Sequence, residues 1–443
     1  MLVFIVSEQF RSEYLERAEP FLVAGGFRRL MNEGAFYPNC YYFSSAFTAS
    51  GLATLATGTY PESHGIIADV WFDRSRQSIV KAGGETLEST TFAGQIEAGP
   101  RDRIFAVGMG RGNLEFLAGR APTLTFYMQP DGQFAAAPAE PAWWQAFQRA
   151  HALEELHDAR WLAIGAAPGA APLRVLKYSS ATPAEFAALY KASPFAQNAQ
   201  FDLIRDLITH EKLGQGETTD YLFVTLDSMA LLGYETGSDS PLMQQMVLHM
   251  DRQLALVLDT LKESVGAGNY DLVFTAAHGA PPERGHGTKI RGEQVAQAVN
   301  QALAAELDLS NRMKQYVERY VYPFLYLRLD ELRRYEVNLR QVRESAGRAA
   351  LRVPGVAGYF TADGDSSFHG GWINRFRNSF HAVRSGDVML SYLPEYVEYY
   401  NGGQGISYGS VYNYDCRVPL FLYGAQFRAR VFETSVQAVD VAP

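Results

Sequence analysis

The sequence contains little cysteine, no long apolar run and no excess of basic residues. Its 443 residues include only two cysteines, Cys40 and Cys416, far apart in the chain. That number and spacing exclude a disulfide framework and a zinc site built from paired cysteines. No apolar run reaches the roughly 18 residues that a membrane-spanning helix needs, so we expect no membrane span. The 39 basic and 48 acidic residues give a net charge of −9, which argues against a nucleic-acid partner.

The chain does contain an alternation of buried strands and helices. Leu2–Val6 is apolar on both faces, as a central strand of a parallel sheet would be. Tyr221–Thr225 and Leu272–Thr275 have the same character, and residues 241–262 between them carry apolar side chains at helical spacing. With 47% apolar and 20% charged residues, this pattern predicts a folded α/β protein with a mostly parallel central sheet.

The stretch from about residue 73 to residue 200 differs from the rest of the chain in composition and in the spacing of its apolar residues. It contains alanine- and proline-rich segments such as Ala135–Pro138 and shows no clear strand–helix rhythm. Ligands of open α/β sheets bind beyond the carboxyl ends of the strands. We therefore predict a single domain over residues 1–443, in which residues 73–200 form an insertion that caps that edge of the sheet.

Thr48 stands at a turn between a predicted strand, Tyr41–Phe43, and a helix of small residues, Gly51–Thr57. A strand, a tight turn and a helix start together present a nucleophile or an anion-binding site. The plainer interpretation is that Thr48 caps the helix or stabilises the turn. Both interpretations stay open at this point, because a lone threonine is a weak indication of catalysis.

Several separate motifs resemble the alkaline phosphatase superfamily. Residues 46–53 (Ala-Phe-Thr-Ala-Ser-Gly-Leu-Ala) and 57–66 resemble its nucleophile region, and residues 275–279 (Thr-Ala-Ala-His-Gly) resemble its Thr-Ala-Asp-His-Gly motif. Residues 384–387 and 412–415 fit the end of the family pattern. The threonine is typical of the branch that includes type I phosphodiesterases/nucleotide pyrophosphatases and PafA-like monoesterases. The resemblance implies an alkaline-phosphatase-like three-layer α/β sandwich.

Members of that family hold two metal ions, usually zinc, which activate the threonine and stabilise the oxygens around phosphorus. Such a centre requires carboxylate and histidine ligands. The resemblance places the ligands of the nucleophile-binding metal at Glu8, Thr48, Ala277 and His278. It places those of the other metal at Ala230, Tyr234 and Tyr408. By this correspondence the lost ligand positions are Ala230, Tyr234, Ala277 and Tyr408.

The positions that contact phosphate in the family have changed as well. Asp69 stands where the resemblance implies an asparagine that donates to phosphate, and a carboxylate there repels an anionic substrate. Arg111 lies in the stretch that corresponds to a Lys-Asp-Arg element of the monoesterases, but two glycines flank it in this chain. The substrate-binding positions are therefore predicted at Asp69 and Arg111, in altered form.

These substitutions predict a pseudoenzyme that keeps its cleft for a ligand or a partner. The partner is expected to be a phosphorylated small molecule or a protein. Thr48 and His278 occupy the catalytic positions. Glu8, Thr48 and His278 form at most one residual metal site, so the expected cofactor is none or one zinc.

The alternative is an active metal-dependent phosphomonoesterase or phosphodiesterase with Thr48 as nucleophile. It requires one metal, or two zinc ions held by a rearranged ligand set that recruits Asp227 or His286. A third hypothesis is a structural subunit whose tyrosine-rich surface docks a partner chain.

The localisation depends on how the sequence was trimmed. Family members are commonly exported to the periplasm, whereas the given sequence starts on a strand and shows no signal peptide. We expect a periplasmic protein if a signal peptide has been removed from the sequence, and a cytoplasmic protein otherwise.

Overall fold

The computed structural model describes residues 1–96, 102–282, 288–307, 313–394, 396–398 and 408–442. These residues form two compact units, and each unit is assembled from separate parts of the chain. Unit 1 comprises Met1–Tyr41, Thr90–Gly279 and Arg417–Val436. Unit 2 comprises Tyr42–Ser89, Ala280–Cys416 and Gln437–Pro443.

Unit 1 is built on one large mixed sheet. Its strands run, in spatial order, as Arg430–Val431, Ala35–Tyr41, Arg417–Tyr423, Asp271–Ala276, Leu2–Ser7, Asp220–Leu226, Arg103–Gly108, Leu124–Met128 and Phe134–Ala137. Neighbours from Asp271–Ala276 to Leu124–Met128 pair in parallel, and the strands that flank this group on either side join it antiparallel. The central strand Leu2–Ser7 is buried on both faces, which confirms the predicted parallel core.

The register of the central strands brings three loop starts to one edge of the sheet. Ser7, at the end of its strand, lies opposite Leu226 on one neighbour and Ala276 on the other. Because parallel strands end at the same edge, the residues that follow them emerge side by side, as ligand-binding loops do in open α/β sheets. These residues are Glu8, Asp227 and Ala277.

Helices connect the strands of unit 1, and the helix predicted over residues 241–262 is confirmed as Pro241–Ser264. It begins where the Ser240 hydroxyl accepts a hydrogen bond from Met243 N, as an N-cap does. The other helices of unit 1 are Ser12–Ala18, Phe27–Glu33, Phe92–Ile96, Arg111–Ala118, Trp144–Ala150, Pro183–Lys191, Pro194–His210 and Ser228–Thr236, with 3₁₀ turns at Glu19–Phe21 and Leu153–Leu156. Arg160–Trp161 and Arg174–Val175 form a small antiparallel ribbon.

Unit 2 contains a four-stranded antiparallel sheet in the order Val317–Val321, Phe324–Leu327, Val388–Tyr392 and Val356–Thr361. Two smaller pairs are Val70–Asp73 with Ser78–Lys81 and Thr288–Ile290 with Tyr396–Glu398. Its helices are Thr48–Thr57, Pro61–His64, Gly292–Leu307, Leu329–Arg334, Leu339–Ala350, Trp372–Asn378 and Asn413–Cys416, with 3₁₀ turns at Gly84–Thr86 and Ala438–Asp440. A short strand, Val436–Gln437, lies where the chain passes from unit 1 to unit 2.

Across the described helices of both units, none is long and apolar enough to cross a membrane.

Two local expectations are corrected near Thr48. The strand predicted at Tyr41–Phe43 is instead the longer Ala35–Tyr41, which ends at Tyr41. The helix predicted from Gly51 begins three residues earlier, at Thr48. Its N-cap residue is therefore Phe47, whose backbone is extended and whose N–H donates to the Ser50 hydroxyl at 3.0 Å. The hydroxyl of Ser50, in the first turn of the helix, thus binds the N–H of the N-cap residue, and Thr48 is the first residue of the helix and not its N-cap.

Part of the range 73–200 is more regular than the sequence suggests. Three strands of the large sheet lie in it, namely Arg103–Gly108, Leu124–Met128 and Phe134–Ala137. The helix Arg111–Ala118 connects the first two of them in the βαβ manner. The division into one domain with a cap over residues 73–200 stays a prediction.

A buried carboxylate, Asp387, organises one part of unit 2. Its side chain is 2% exposed and accepts hydrogen bonds from Arg343 Nε and from Leu327 N, both at 2.8 Å. Arg74 forms a further ion pair with the same carboxylate, and Arg343 also reaches Asp363 at 3.0 Å. The hydrogen bonds and opposite charges around this carboxylate offset the cost of its burial.

We predict that Asp387→Ala lowers the free energy of unfolding by about 3–5 kcal/mol, because it leaves two guanidinium groups and a buried N–H without their acceptor. The measurement is urea unfolding followed by circular dichroism. The matched control is Asp330→Ala, because Asp330 is 91% exposed and pairs with Arg333 at 3.3 Å. That exposed pair should contribute less than about 1 kcal/mol. Equal unfolding midpoints for the two variants would contradict the structural role given to Asp387.

Candidate functional site

The candidate residues of unit 1 are fixed by main-chain hydrogen bonds at the carboxyl edge of the large sheet. Glu8 N donates to Leu226 O at 2.9 Å, and Ala277 N donates to Ser7 O at 3.0 Å. Phe10 N donates to His278 O at 3.0 Å. These bonds extend the strand pairing by one residue, so Glu8 and His278 are held at neighbouring strand ends whatever their side chains bind.

The side chains of Glu8, His278 and Tyr234 meet at this edge. The Tyr234 hydroxyl lies 3.4 Å from Glu8 Oε1, as the donor of a long hydrogen bond. His278 Nε2 lies 3.9 Å from the same oxygen. His278 is fully buried, and its Nδ1 lies 2.6 Å from Gly279 O, so that nitrogen carries the proton. Nε2 is therefore the atom turned toward the Glu8 carboxylate.

Asp227 is held in a different way, by the loop that follows the neighbouring strand Arg103–Gly108. Its Oδ2 accepts hydrogen bonds from Met109 N at 3.0 Å and Gly110 N at 3.1 Å. Burial, and then the negative charge of Glu8, raise the pKa of Asp227 to about 7, although these backbone bonds act in the opposite direction. The two backbone bonds occupy Oδ2 and hold the Asp227 carboxylate against this loop.

The predicted substrate-binding Arg111 points to solvent. Its side chain is 60% exposed, lies 3.8 Å from Glu115 and covers the ring of Tyr127 at 5.6 Å. Within the described part of the chain, these contacts of Arg111 do not include Glu8, Asp227 or His278. Its assignment to substrate binding stays a prediction.

The helix Ser228–Thr236 carries two of the predicted lost ligand positions on one face. Ala230 is fully buried, and Tyr234 stands one turn later. Between them, a Cβ on Gly233 would lie 2.0 Å from Gln9 Oε1, so the helix approaches Gln9 this closely only because residue 233 is glycine.

Gln9 also lies at this edge of the sheet, and nothing in the amino-acid sequence marks it as a candidate site residue. It is fully buried, its φ is +60°, and neither amide atom has a hydrogen-bond partner among the described residues. A left-handed backbone and an unsatisfied buried amide are both costly. Their occurrence next to Glu8 marks this edge as a specialised part of the fold.

In unit 2, Asp69 occupies the start of the helix Thr48–Thr57. Its Oδ1 accepts a hydrogen bond from Ala49 N at 2.8 Å, and its Oδ2 accepts one from the Tyr408 hydroxyl at 2.7 Å. The first N–H groups of a helix have no partner within the helix and carry a partial positive charge. Asp69 supplies the anion for that position from within the chain.

Tyr408 is positioned by its packing against Phe47. The two rings meet edge to face at 6.1 Å. The next residue, Gly409, has φ of +94°, and a Cβ there would lie 2.2 Å from the Phe47 ring. A glycine at this point therefore lets the segment pass over Phe47 and bring the Tyr408 hydroxyl to Asp69.

Each unit contains the same kind of contact, between a tyrosine hydroxyl and a carboxylate. A tyrosine at a predicted lost ligand position, Tyr234 or Tyr408, turns its hydroxyl toward a carboxylate at an altered site position, Glu8 or Asp69. Both carboxylates are partly buried, and a carboxylate that is partly removed from water is stabilised by a cation or by hydrogen-bond donors. In both places a neutral O–H group fills that need, and this pairing could not be read from the sequence because the partners are far apart along the chain.

The residues present do not fit a two-metal centre. No group of three or more His, Cys, Asp or Glu side chains in the described part of the chain is arranged to hold a metal ion. Of the predicted ligands in unit 1, Glu8 and His278 remain as a pair, whereas Ala230 and Ala277 offer only methyl groups. A protein zinc site commonly uses three or four ligands. His286 lies outside the described residues.

Comparison with known proteins gives a consistent family. A sequence model for the family described as type I phosphodiesterase/nucleotide pyrophosphatase matches residues 2–405. The chain is 24% identical over 502 residues to alkaline phosphatase PafA of Elizabethkingia meningoseptica, covering 100% of this chain and 90% of that protein. It is 22% identical over 512 residues to a Myroides odoratus protein named calcium-transporting ATPase, with the same coverage.

A crystal structure of wild-type alkaline phosphatase PafA is similar with a TM-score of 0.85 at 22% identity, covering 100% of this chain and 94% of that one. These findings confirm the resemblance and the alkaline-phosphatase-like α/β fold inferred from the motifs. Likeness at this level of identity concerns the fold and says nothing about which reaction the chain performs.

We predict a measurable coupling between Tyr408 and Asp69. Tyr408→Phe removes the hydroxyl donor of a charged acceptor and should lower the free energy of unfolding by about 1–3 kcal/mol. In an Asp69→Ala background the same change should cost much less, because the acceptor is already gone. Urea unfolding of the two single variants and the double variant measures the coupling. Strictly additive effects would show that the hydroxyl and the carboxylate do not depend on each other.

Proposed function

The chain belongs to the type I phosphodiesterase/nucleotide pyrophosphatase family, and we propose that it is a pseudoenzyme of that family. It keeps the alkaline-phosphatase-like fold for binding and does not hydrolyse phosphoesters with two metal ions. The observation that carries this proposal is Asp69, whose carboxylate occupies the start of the helix Thr48–Thr57 and is held there by Ala49 N and the Tyr408 hydroxyl.

Asp69 acts against a phosphoryl ligand in two ways. It uses the helix N–H of Ala49 that would otherwise be open to an external anion. Its negative charge also repels any second anion brought to the same place. Of the predicted partners, a phosphorylated small molecule is therefore disfavoured at this helix start, and a protein partner is the better remaining proposal.

The nucleophile position supports the same proposal. Thr48 is buried at the first turn of its helix. A threonine hydroxyl attacks phosphorus effectively only when a metal ion or a base takes its proton. The exchange of ligands for alanine and tyrosine at Ala230, Tyr234, Ala277 and Tyr408 removes the groups that would hold such metals.

A second candidate function rests on the retained pair Glu8 and His278. His278 Nε2 faces the Glu8 carboxylate at 3.9 Å, and these are two side chains of types that bind zinc. A single zinc at this pair would make the chain a one-metal phosphoesterase, for which the family resemblance implies Thr48 as the nucleophile. The two proposals differ in the number of bound metal ions and in whether turnover depends on Thr48.

The first test is zinc stoichiometry after equilibration with excess zinc and removal of unbound ion. We expect well under one zinc per chain, because too few ligands are present to anchor the ion. The matched variant restores the family ligands together, through Ala230→Asp, Tyr234→His, Ala277→Asp and Tyr408→His. This variant should bind about two zinc ions per chain, as a two-metal centre does. A folded restored variant without zinc would show that these positions do not correspond to the family ligands.

The second test is hydrolysis of bis(p-nitrophenyl) phosphate and p-nitrophenyl phosphate with zinc present. We expect the same background rate for the wild type and for Thr48→Ala, because Thr48 has no metal-activated role in the proposal. Turnover that persists through purification and disappears in Thr48→Ala would refute the pseudoenzyme proposal. If that activity came with one bound zinc, it would establish the one-metal alternative.

A further inference from the structure

His151 lies at the contact between two helices of unit 1. It is the C-cap residue of the helix Trp144–Ala150, and its N–H donates to Phe147 O at 3.1 Å. Its partly exposed ring stacks on the Phe147 ring at 4.3 Å and points toward the helix Pro194–His210, which carries Asp202. None of the candidate site positions described above lies in either helix.

Both ring nitrogens of His151 face oxygen acceptors. Nδ1 lies 3.1 Å from Phe147 O, and Nε2 lies 3.1 Å from Asp202 Oδ2. A neutral imidazole carries one N–H and can donate to only one of these oxygens, whereas the doubly protonated ring donates to both. The end of a helix also favours a positive charge. The geometry around His151 therefore favours its charged form.

The facing helix contributes four ionisable groups near the His151 ring. Asp202 accepts from the ring and also forms an ion pair with Arg205, three residues later on the same helix. Asp206, one turn after Asp202, adds a further negative charge that favours the protonated ring. His210, at the end of the helix, offsets part of the charge of Asp206. Asp202 keeps its pair with Arg205 whether or not His151 is protonated.

The other elements beside His151 add no net charge. Arg149 and Glu154 line the same cavity of about 500 Å³ as His151 and contribute one cation and one anion. Tyr190 also lines it, and burial raises the pKa of this phenol, so it stays neutral. The strand Phe134–Ala137 carries no ionisable side chain. The charge of the His151 ring is therefore controlled from the facing helix.

The pKa values of the pair move in opposite directions. Burial lowers the pKa of His151, but the hydrogen bonds to Asp202 and to the Phe147 carbonyl outweigh burial and raise it overall. Burial raises the pKa of Asp202, but the hydrogen bonds from His151 and Arg205 outweigh burial and lower it overall. A pKa raised on folding gives stability that is present below the unfolded pKa and is lost as the pH rises through the folded pKa. The His151 contribution is therefore lost on the alkaline side.

We propose that His151 forms a pH-sensitive link between the helix Trp144–Ala150 and the helix Pro194–His210. The protonated ring donates to Phe147 O and to Asp202 at once. As the pH rises, the ring loses one proton to solvent, one of the two hydrogen bonds is lost, and the first helix is held less firmly against the second. The link uses no residue of the proposed function, so the two proposals can fail separately.

The first test is a proton NMR titration of the histidine rings in the full chain. The His151 signal is assigned by its disappearance in His151→Gln. We expect its midpoint above the ordinary histidine value of about 6.5, and a lower midpoint in Asp202→Asn, because the charged acceptor is gone. A wild-type midpoint at or below the ordinary value, or the same midpoint in Asp202→Asn, would overturn the proposal.

The second test is amide hydrogen exchange of the helix Trp144–Ala150, measured by mass spectrometry below and above the His151 midpoint and corrected for the intrinsic pH dependence of exchange. We expect protection in the wild type to fall about fivefold across this range, as the loss of one partly exposed hydrogen bond to a charged group allows. In His151→Gln, protection should not change with pH, because the amide side chain does not titrate.

The matched control is His157→Gln, which removes a nearby histidine that stacks on Tyr178 at 3.5 Å. This variant should keep the wild-type pH dependence. If protection in the wild type stayed constant across the His151 midpoint, or if His151→Gln showed the same fall as the wild type, the link would not depend on the protonation of His151 and the proposal would be wrong.

Discussion

A carboxylate that is partly removed from water is stabilised by a cation or by hydrogen-bond donors beside it, and the candidate residues of both units depend on that constraint. In unit 2 the Tyr408 hydroxyl donates to Asp69 at 2.7 Å, and in unit 1 the Tyr234 hydroxyl lies 3.4 Å from Glu8. A divalent ion would bring two positive charges to such oxygens, whereas a phenol brings one polarised hydrogen. The exchange satisfies the carboxylates while giving up the field that metal-assisted chemistry uses. The proposed loss of metal ligands is therefore compatible with retention of the fold.

The scaffold around these side chains relies mainly on the backbone. Glu8 and His278 are placed by main-chain bonds to Leu226 and Phe10, and those bonds form with any side chain at either position. Asp227 is likewise held by the amides of Met109 and Gly110. Parallel strand pairing therefore places positions 8, 227 and 278 at one edge of the sheet, whichever side chains they carry. This explains how the chain matches the PafA structure with a TM-score of 0.85 while its predicted ligand positions differ.

The sequence predicts the regular parts of this fold because their causes are local. The unbroken apolar run at Leu2–Val6 reflects a strand that is buried on both faces. The apolar spacing over residues 241–262 reflects the 3.6-residue period of a helix with one buried face. The N-cap interpretation of Thr48 was wrong, because the helix begins at Thr48 with Phe47 as its N-cap residue and the N–H of Ala49 is bound by the distant Asp69. The turn and nucleophile interpretations stay predictions. The partners of Tyr234 and Tyr408 could not be predicted from the sequence, because each contact joins residues more than two hundred positions apart. A tertiary contact between such distant residues produces no periodic pattern in the sequence.

The two substitutions in unit 2 make sense only together. Asp69 without the Tyr408 hydroxyl would lose one of its hydrogen-bond donors, and Tyr408 without Asp69 would lose its carboxylate acceptor. Each change alone costs about the free energy of a hydrogen bond to a charged group. Restoring a histidine at position 408 would meet a carboxylate at position 69 that still occupies the helix start and repels anions. The pair therefore acts as one unit, and a change at either position is expected to cost stability unless the other position changes with it.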